Sequence, residues 1–415
     1  SAWAVDKMKL HSLNDSLRFI CGLQFLLCCS GFYVRGSKFV SNKYTRSYSL
    51  ICATLIVCGL CAAIYALLQH EQLLERVLQL DKLVLSITVL ELIMSTLVFL
   101  ITVLSLQRCA SKHLDIYARL ASIDLQLMQQ FGANLHYNKM QRKNVLLISL
   151  VTLLYLGAIN TALTRVAETQ HLLLLLPVAL LYILITGGPH LTGYVHMNLT
   201  ELLSIRFRLL QQILKPQFLH THFGHNAQLC EHRVASFADL VKQLHYIIQQ
   251  INEVYNLSLW ASIAHDFTLS TSELYIIFGR SISEQTDSEQ SNLLFMGFLA
   301  LCMLVPFYKM LIGPVYCSRS VLEGRKCLRL LEQLDNWFPR SLAIKQLVGC
   351  LMRWRLQFKI AYTSGMSLVL NKTIITLFTA IVCEYLLVLI QFAMTQKLGE
   401  QIEEQKSTLQ DWIVT

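Results

Sequence analysis

Seven long apolar stretches run through this chain of 415 residues, and they constrain its fold more than any other feature. A helix of about 20 predominantly apolar residues crosses a bilayer. Only 15% of the residues are charged, against about 25% in a soluble domain, which excludes an ordinary cytosolic enzyme. We therefore predict an all-α, polytopic membrane protein with seven transmembrane helices, within 47–70, 83–107, 144–164, 169–200, 254–279, 290–317 and 373–396.

An eighth apolar stretch, residues 17–34, is shorter and has Arg18 and Arg35 at its ends. We interpret it as an N-terminal membrane-dipping helix that re-enters the membrane or lies at its surface. A true span and a signal peptide are the alternatives. A re-entrant helix leaves the number of spans at seven.

The basic residues predict the orientation, because cytoplasmic loops carry excess Lys and Arg. Of the 35 basic residues, 27 lie in segments 1–46, 108–143, 201–253 and 318–366, and six lie in the alternate loops and the tail. This places the N-terminus in the cytosol and the C-terminus outside, which is the reverse of the orientation of G-protein-coupled receptors. The Asp-Arg-Tyr and Asn-Pro-x-x-Tyr motifs of those receptors are also missing from this sequence. The net charge of +9 thus marks the cytosolic side and indicates no nucleic-acid partner.

The long inner loops have apolar residues at helical spacing and predict a cytosolic helical anchor, either an assembly platform or a monomeric cap. The predicted units follow the spans in order. They are the cytosolic N-terminus with its re-entrant helix (1–46), the first five spans as a ligand-binding bundle (47–280), the sixth span (281–317), the anchor helices (318–366), the seventh span (367–396) and the extracellular tail (397–415).

The seventh span carries polar residues on one face. Glu384, Val388, Gln391 and Thr395 follow i, i+4, i+7, i+11 spacing, which aligns them along a helix. Such a face lines a pore or forms a buried polar stripe between helices. The spacing alone does not choose between these two interpretations.

The same span resembles the signature of the insect gustatory receptors, Thr-Tyr, five apolar residues, then Gln-Phe. Here Tyr385 precedes five apolar residues and Gln391-Phe392, while Glu384 replaces the Thr. A second similarity runs from Leu244-His245 through Asn252, Tyr255 and Asn256 to Ser258, leading into the fifth span. The predicted topology matches that family over essentially the whole chain.

The resemblance implies a gustatory receptor that acts as a tetrameric, ligand-gated, non-selective cation channel in the plasma membrane of a sensory neuron. The seventh spans line its pore, with Gln391 and Phe392 near the constriction, Val388 as the best gate candidate and Leu387 as the next. A ring of Glu384 carboxylates favours cations if that face is exposed. The implied partners are a small-molecule tastant, permeating cations, the lipid bilayer, and identical or related subunits in a homotetramer or heterotetramer.

Polar and aromatic residues in the outer halves of the spans are candidates for the ligand site. Acids inside a membrane are costly and often functional, so the three intramembrane acids suit a polyhydroxylated or cationic ligand. Hydrogen bonding between helices is the alternative for each residue. The candidates are Glu91, Tyr155, Asn160, His265, Asp266, Glu273 and Phe295.

No sequence motif indicates an enzyme, a cofactor or a metal. The cluster of His220, His222, His225, Cys230 and His232 has no usual zinc spacing, and we interpret it as a solvated inner loop. The alternative function is a secondary transporter with intramembrane carboxylates as coupling groups. Such transporters often contain internal repeats, which we do not find here.

Overall fold

The computed structural model describes residues 13–35, 38–69, 82–133, 135, 137–167, 172–215, 227–282, 289–338, 340–357, 360–365 and 368–414. The helices in these residues are α1 (Leu13–Leu26), α2 (Lys43–Leu68), α3 (Lys82–Arg108), α4 (Ala110–Phe131), α5 (Asn138–Ala167), α6 (Leu172–Ile213), α7 (Ala227–Ile282), α8 (Glu289–Glu332), α9 (Leu334–Trp337), α10 (Leu342–Gln357) and α11 (Thr373–Val414). Two antiparallel hairpins join β1 (Tyr33–Arg35) to β2 (Lys38–Val40) and β3 (Thr363–Ser364) to β4 (Leu368–Val369).

The described chain is nearly all helical, as the sequence predicts, and apart from Gln69 the described part of every predicted span lies within a helix. Within the described residues, five helical segments are long and apolar enough to cross a membrane, namely 43–66, 89–108, 176–213, 299–337 and 373–392, of which 299–337 runs from α8 into the short α9. The other two predicted spans lie in α5 and α7. Helix α7 is the more polar case because its apolar run carries Asp266 and Glu273.

Helix α7 is 56 residues long, or about 84 Å at 1.5 Å per residue. The hydrocarbon core of a bilayer is about 30 Å thick, so much of this helix extends beyond it. The part before the span buries an apolar face that includes Val241, Leu244 and Ile248. The amphipathic pattern of the inner loop thus continues the span as one helix, as the sequence suggests.

The N-terminal helix α1 has 14 residues, about 21 Å, which is too short to cross the hydrocarbon core. The chain turns at Cys28, whose φ is 62°, and continues into the β1–β2 hairpin. Cys29 then packs so closely on α6 that a Cβ added to Gly188 lies 2.6 Å from its Sγ. Only glycine permits this approach, which seats the N-terminal segment against the bundle.

A buried aromatic cluster joins this hairpin to α4 and α7. The ring of Phe32 meets His113 edge-on, and Nε2 of His113 lies 2.8 Å from the hydroxyl of Tyr255 and 3.2 Å from that of Tyr117. Burial lowers the pKa of His113 to about 3. The imidazole is therefore neutral near pH 7 and can accept a hydrogen bond from a tyrosine hydroxyl.

The second hairpin, β3–β4, precedes α11 and is bound to α7 by two asparagines. The side chain of Asn252 donates to the carbonyl oxygen of Ala361 (2.8 Å) and accepts from the backbone N–H of Thr363 (3.2 Å). The carbonyl oxygen of Asn256 accepts from Ser364 and from the backbone N–H of Gly365. The Asn252–Ser258 motif thus holds the start of α11 against α7.

A buried arginine joins α4 to α6. The guanidinium of Arg206 is fully buried and donates to both carboxylate oxygens of Asp124, at 2.8 and 2.7 Å. It also donates to the hydroxyl of Tyr137, which itself donates to Asp124. Removing one partner of a buried ion pair leaves an uncompensated charge, so each partner depends on the other.

We expect Asp124→Ala to lower the free energy of unfolding by about 3–5 kcal/mol, because Arg206 then lies buried without its counterion. The matched control is Lys112→Ala on the same helix. Lys112 pairs with Glu253 at 2.6 Å, but both side chains are more than half exposed, so the loss should be much smaller. Thermal unfolding of the two purified full-length variants in detergent measures the difference, and equal losses would contradict this account of the buried pair.

Candidate functional site

Two buried polar clusters lie side by side in the helical bundle, and the first one contains two of the predicted acids. Glu91 on α3 accepts a hydrogen bond from the hydroxyl of Tyr182 on α6. Glu273 on α7 is buried, and its Oε2 has no hydrogen-bond partner among the described residues. The two carboxyl groups interact electrostatically with each other and with Tyr155 on α5. We refer to these four residues as the acidic cluster.

The second cluster is centred on an ion pair between α7 and α8. Nζ of Lys309 lies 2.6 Å from Oδ2 of Asp266, and the two side chains are 9% and 0% exposed. The same ammonium donates to Ser262 at 2.6 Å and lies 3.3 Å from Nδ1 of His190 on α6. We refer to these four residues as the ion-pair cluster. Asp266 therefore has a counterion, and its chemistry differs from that of Glu273.

The lysine stem packs directly on the backbone of α6, where Gly193 has no side chain to obstruct it. A Cβ added to Gly193 lies 2.8 Å from Cδ of Lys309, so a larger residue there displaces the lysine stem. His265, next to Asp266 on α7, has its ring centroid 6.2 Å from that of His190 and its Nε2 2.7 Å from Oγ of Ser95 on α3. The ion-pair cluster and this contact together join four helices.

The structure thus brings Glu91, Glu273 and Tyr155 together and places Asp266 with Lys309 instead. The side chains of the remaining two candidates, Asn160 and Phe295, lie outside the described residues, as do His220, His222 and His225 of the histidine-rich loop. The described residues hold no group of three or more potential metal ligands.

Sequence reasoning missed Tyr182, His190 and Lys309 as members of these clusters. Lys309 carried a usable signal, since a lysine inside an apolar run requires a partner, and Asp266 was an available intramembrane acid. Tyr182 carried no comparable signal, because a tyrosine inside a span is as compatible with lipid contact as with a buried hydrogen bond.

In the part of α11 whose side chains the structure describes, one side of the helix packs on α7 and α8. Phe378 and Val382 are buried against Met310 of α8. The ring of Phe267 on α7 meets Phe378 edge-on at 6.4 Å and Tyr385 at 5.2 Å. In the single chain all the predicted pore residues on this helix are exposed, namely Glu384, Leu387, Val388, Gln391, Phe392 and Thr395.

The ion pair lies directly beside the contacts that hold α11. Phe267 follows Asp266 in the sequence, and Met310 follows Lys309. Both neighbours pack on α11 near Phe378. The Asp266–Lys309 pair therefore fixes α7 against α8 at the level where these helices support α11.

Comparison with known sequences shows similarity over nearly the whole chain. A family profile described as "7tm Chemosensory receptor" matches residues 17–396. Gustatory receptor 57a of Drosophila melanogaster is 52% identical over 406 residues, which cover 97% of each chain. Gustatory receptor 47b of the same species is 23% identical over 381 residues, which cover 90% of this chain and 88% of that protein.

Solved structures show the same fold. The insect olfactory receptor OR5 from Machilis hrabei matches with a TM-score of 0.63 at 11% identity, covering 91% of this chain and 97% of that chain. The same receptor in complex with eugenol matches with a TM-score of 0.63 at 10% identity, covering 91% and 98%. At this identity the likeness establishes the arrangement of helices and leaves the residue chemistry to the contacts above.

We expect Lys309→Met to lower the apparent melting temperature of the purified chain strongly, because it leaves Asp266 buried without a cation, a change that typically costs about 3–5 kcal/mol. The double variant Lys309→Met, Asp266→Leu should recover most of the loss, since neither charge remains. Lys112→Met serves as the control, because Lys112 pairs with Glu253 at the surface, where both side chains are more than half exposed. No recovery in the double variant would show that Lys309 stabilises the bundle by packing alone.

Proposed function

Because the chain belongs to the 7tm chemosensory receptor family, among its insect gustatory receptors, we propose that it is a ligand-gated, non-selective cation channel opened by an external small molecule. It forms a homotetramer, or a heterotetramer with related subunits, in the plasma membrane of a sensory neuron. The observation that carries this proposal is the exposed face of α11, which bears the polar residues Glu384, Gln391 and Thr395 on a helix that is apolar enough to span. Four such faces around an axis enclose a pore.

The packing of α11 indicates which residues of that face point to the axis. At about 100° per residue, Leu387 and Gln391 lie roughly 180° and 220° from the buried Phe378, and Glu384 about 240°. Val388 lies about 80° to one side of the buried face. We therefore place Leu387 ahead of Val388 as the apolar gate, with Gln391 one turn further out and Glu384 about one turn further in. A leucine ring closes a pore by dewetting.

The acidic cluster is the proposed ligand site. Glu273 has an oxygen without a partner, and Glu91 is held only by Tyr182 among the described residues. A ligand with hydroxyl or ammonium donors can satisfy these acceptors while the tyrosine rings pack on its apolar atoms. A polyhydroxylated or cationic tastant fits this arrangement, which holds no fixed cation within the four residues.

Helix α7 links this site to the pore. Glu273 and Asp266 are seven residues apart on one helix, about 10.5 Å along its axis, and Phe267 contacts α11 directly. A ligand that pulls α7 towards α3 moves Phe267 relative to the rings of α11 on which it packs. It opens the channel only to the extent that it binds the open state more tightly than the closed one.

We expect Leu387→Ala to increase the basal cation current of cells that express the full chain, because a smaller ring no longer excludes water. Gln391→Glu should raise permeability to cations relative to anions, measured as a shift in reversal potential. Leu153→Ala on α5 is the control, since Leu153 is 66% exposed in the single chain, comparable to Leu387 at 59%. If both α11 variants reach the surface and leave leak and reversal potential unchanged, α11 does not line the pore, and saturable flux without channel current then favours a transporter.

We expect Glu273→Gln to shift the concentration–response curve of an active tastant by roughly 10-fold or more, because a hydrogen bond to a charged group contributes about 1.5–3 kcal/mol. Glu253→Gln on the same helix is the matched control, since Glu253 lies at the surface and pairs with Lys112. Screening sugars and cationic bitter compounds for evoked current identifies the ligand. A Glu273→Gln variant with an unchanged response would place the ligand site elsewhere.

A further inference from the structure

A shallow groove lies between the N-terminal helix α1 and the start of α5, away from both polar clusters. Its volume is about 420 Å³, and its lining residues are Arg18, Phe19, Gly22, Leu23, Leu26 and Gln141. Phe19 and Leu26 are 39% and 68% exposed, although both are large and apolar. The groove therefore presents an open apolar surface with one cation at its edge.

The position of the groove relative to the membrane follows from the two helices that form it. The other face of α1 is buried on the bundle through Leu17, Ile20 and Cys21. Gln141 lies three residues before the predicted third span begins at Asn144. The groove thus lies where hydrocarbon meets headgroups, which is the level occupied by an amphipathic helix that does not span.

The charge around the groove is positive. Arg18 and Arg142, which follows Gln141, are both exposed, and neither forms an ion pair among the described side chains. This end of α5 belongs to the side of the membrane that carries most of the basic residues. Basic pockets between helices on that side bind anionic lipid headgroups.

We propose that this groove is a binding site for an anionic phospholipid of the leaflet on the basic side of the membrane. Arg18 binds the phosphate, and Arg142, the residue after Gln141, adds to the positive potential. One acyl chain lies along Phe19, Leu23 and Leu26. Gly22 provides the space for that chain, since a Cβ added there meets no atom within 4 Å.

The test uses the full chain in lipid nanodiscs and a phosphatidylserine probe with a photoactivatable diazirine in its acyl chain. A phosphatidylcholine probe with the same acyl chain is the comparison. Mass spectrometry of the cross-linked protein maps the labelled residues. We expect labelling within 19–26 and around Gln141, with phosphatidylserine preferred about fivefold, the effect of roughly one basic residue near a membrane surface.

Two pairs of variants separate headgroup binding from acyl-chain binding. Arg18→Gln should remove most of the preference for phosphatidylserine, whereas Arg108→Gln, which changes an exposed arginine at the end of α3, should retain it. Gly22→Phe should reduce labelling by both probes because the ring fills the groove. Gly22→Ala has the same change at Cβ but leaves the groove open, so labelling should persist.

The comparison of headgroups in the unmodified chain is decisive without any variant. Equal labelling of the groove by the two probes, or no labelling there, overturns the proposal. Unchanged labelling in a folded Gly22→Phe variant, or an unchanged headgroup preference in Arg18→Gln, overturns it as well. None of these readouts depends on ion conduction, so the result is independent of the proposed channel function.

Discussion

The ion pair between Asp266 and Lys309 is the interaction on which the arrangement of the bundle most depends. Two opposite charges buried together in an apolar environment must remain together, because separating them leaves each one unpaired at high energy. Nζ of Lys309 lies 2.6 Å from Oδ2 of Asp266. The same ammonium contacts Ser262, which is on α7 with Asp266, and His190 on α6. It therefore fixes α7, α8 and α6 relative to one another, and the next residues, Phe267 and Met310, support α11 from this fixed position.

The acids of the two buried clusters lie in different surroundings. Asp266 is neutralised by a lysine of its own chain, so it offers little to a ligand. Glu273 lies two turns along the same helix and has an oxygen without a partner among the described residues. Intramembrane acids that look equivalent in the sequence thus differ in what surrounds them, and Glu91 and Glu273, which have no counterion among the described residues, are the ones that we propose bind the ligand.

The sequence predicted the helices well because length and absence of charge are local properties. It also predicted the family correctly: the resemblance carried by Tyr385–Phe392 and by 244–258 pointed to the family that matches over nearly the whole chain. It could not predict that Lys309 pairs with Asp266, or that Tyr182 binds Glu91, because such pairs depend on which helices are neighbours. The role of Asn252 was hidden for the same reason, since its partners Ala361 and Thr363 lie more than 100 positions later in the chain. The orientation and the pore-facing residues stay predictions.

Helix α7 touches the α11 segment at two separate levels, through Asn252 and Asn256 at the β3–β4 hairpin and through Phe267 further along. Two contacts at different heights allow α7 to transmit rotation as well as displacement to α11. When α7 tilts, the start of α11 and its middle move by different amounts, so α11 tilts instead of translating along its axis. The length of α7 thus makes it a lever arm, through which a tilt at its Glu273 end is carried past the Asp266–Lys309 pair to the hairpin at the start of α11.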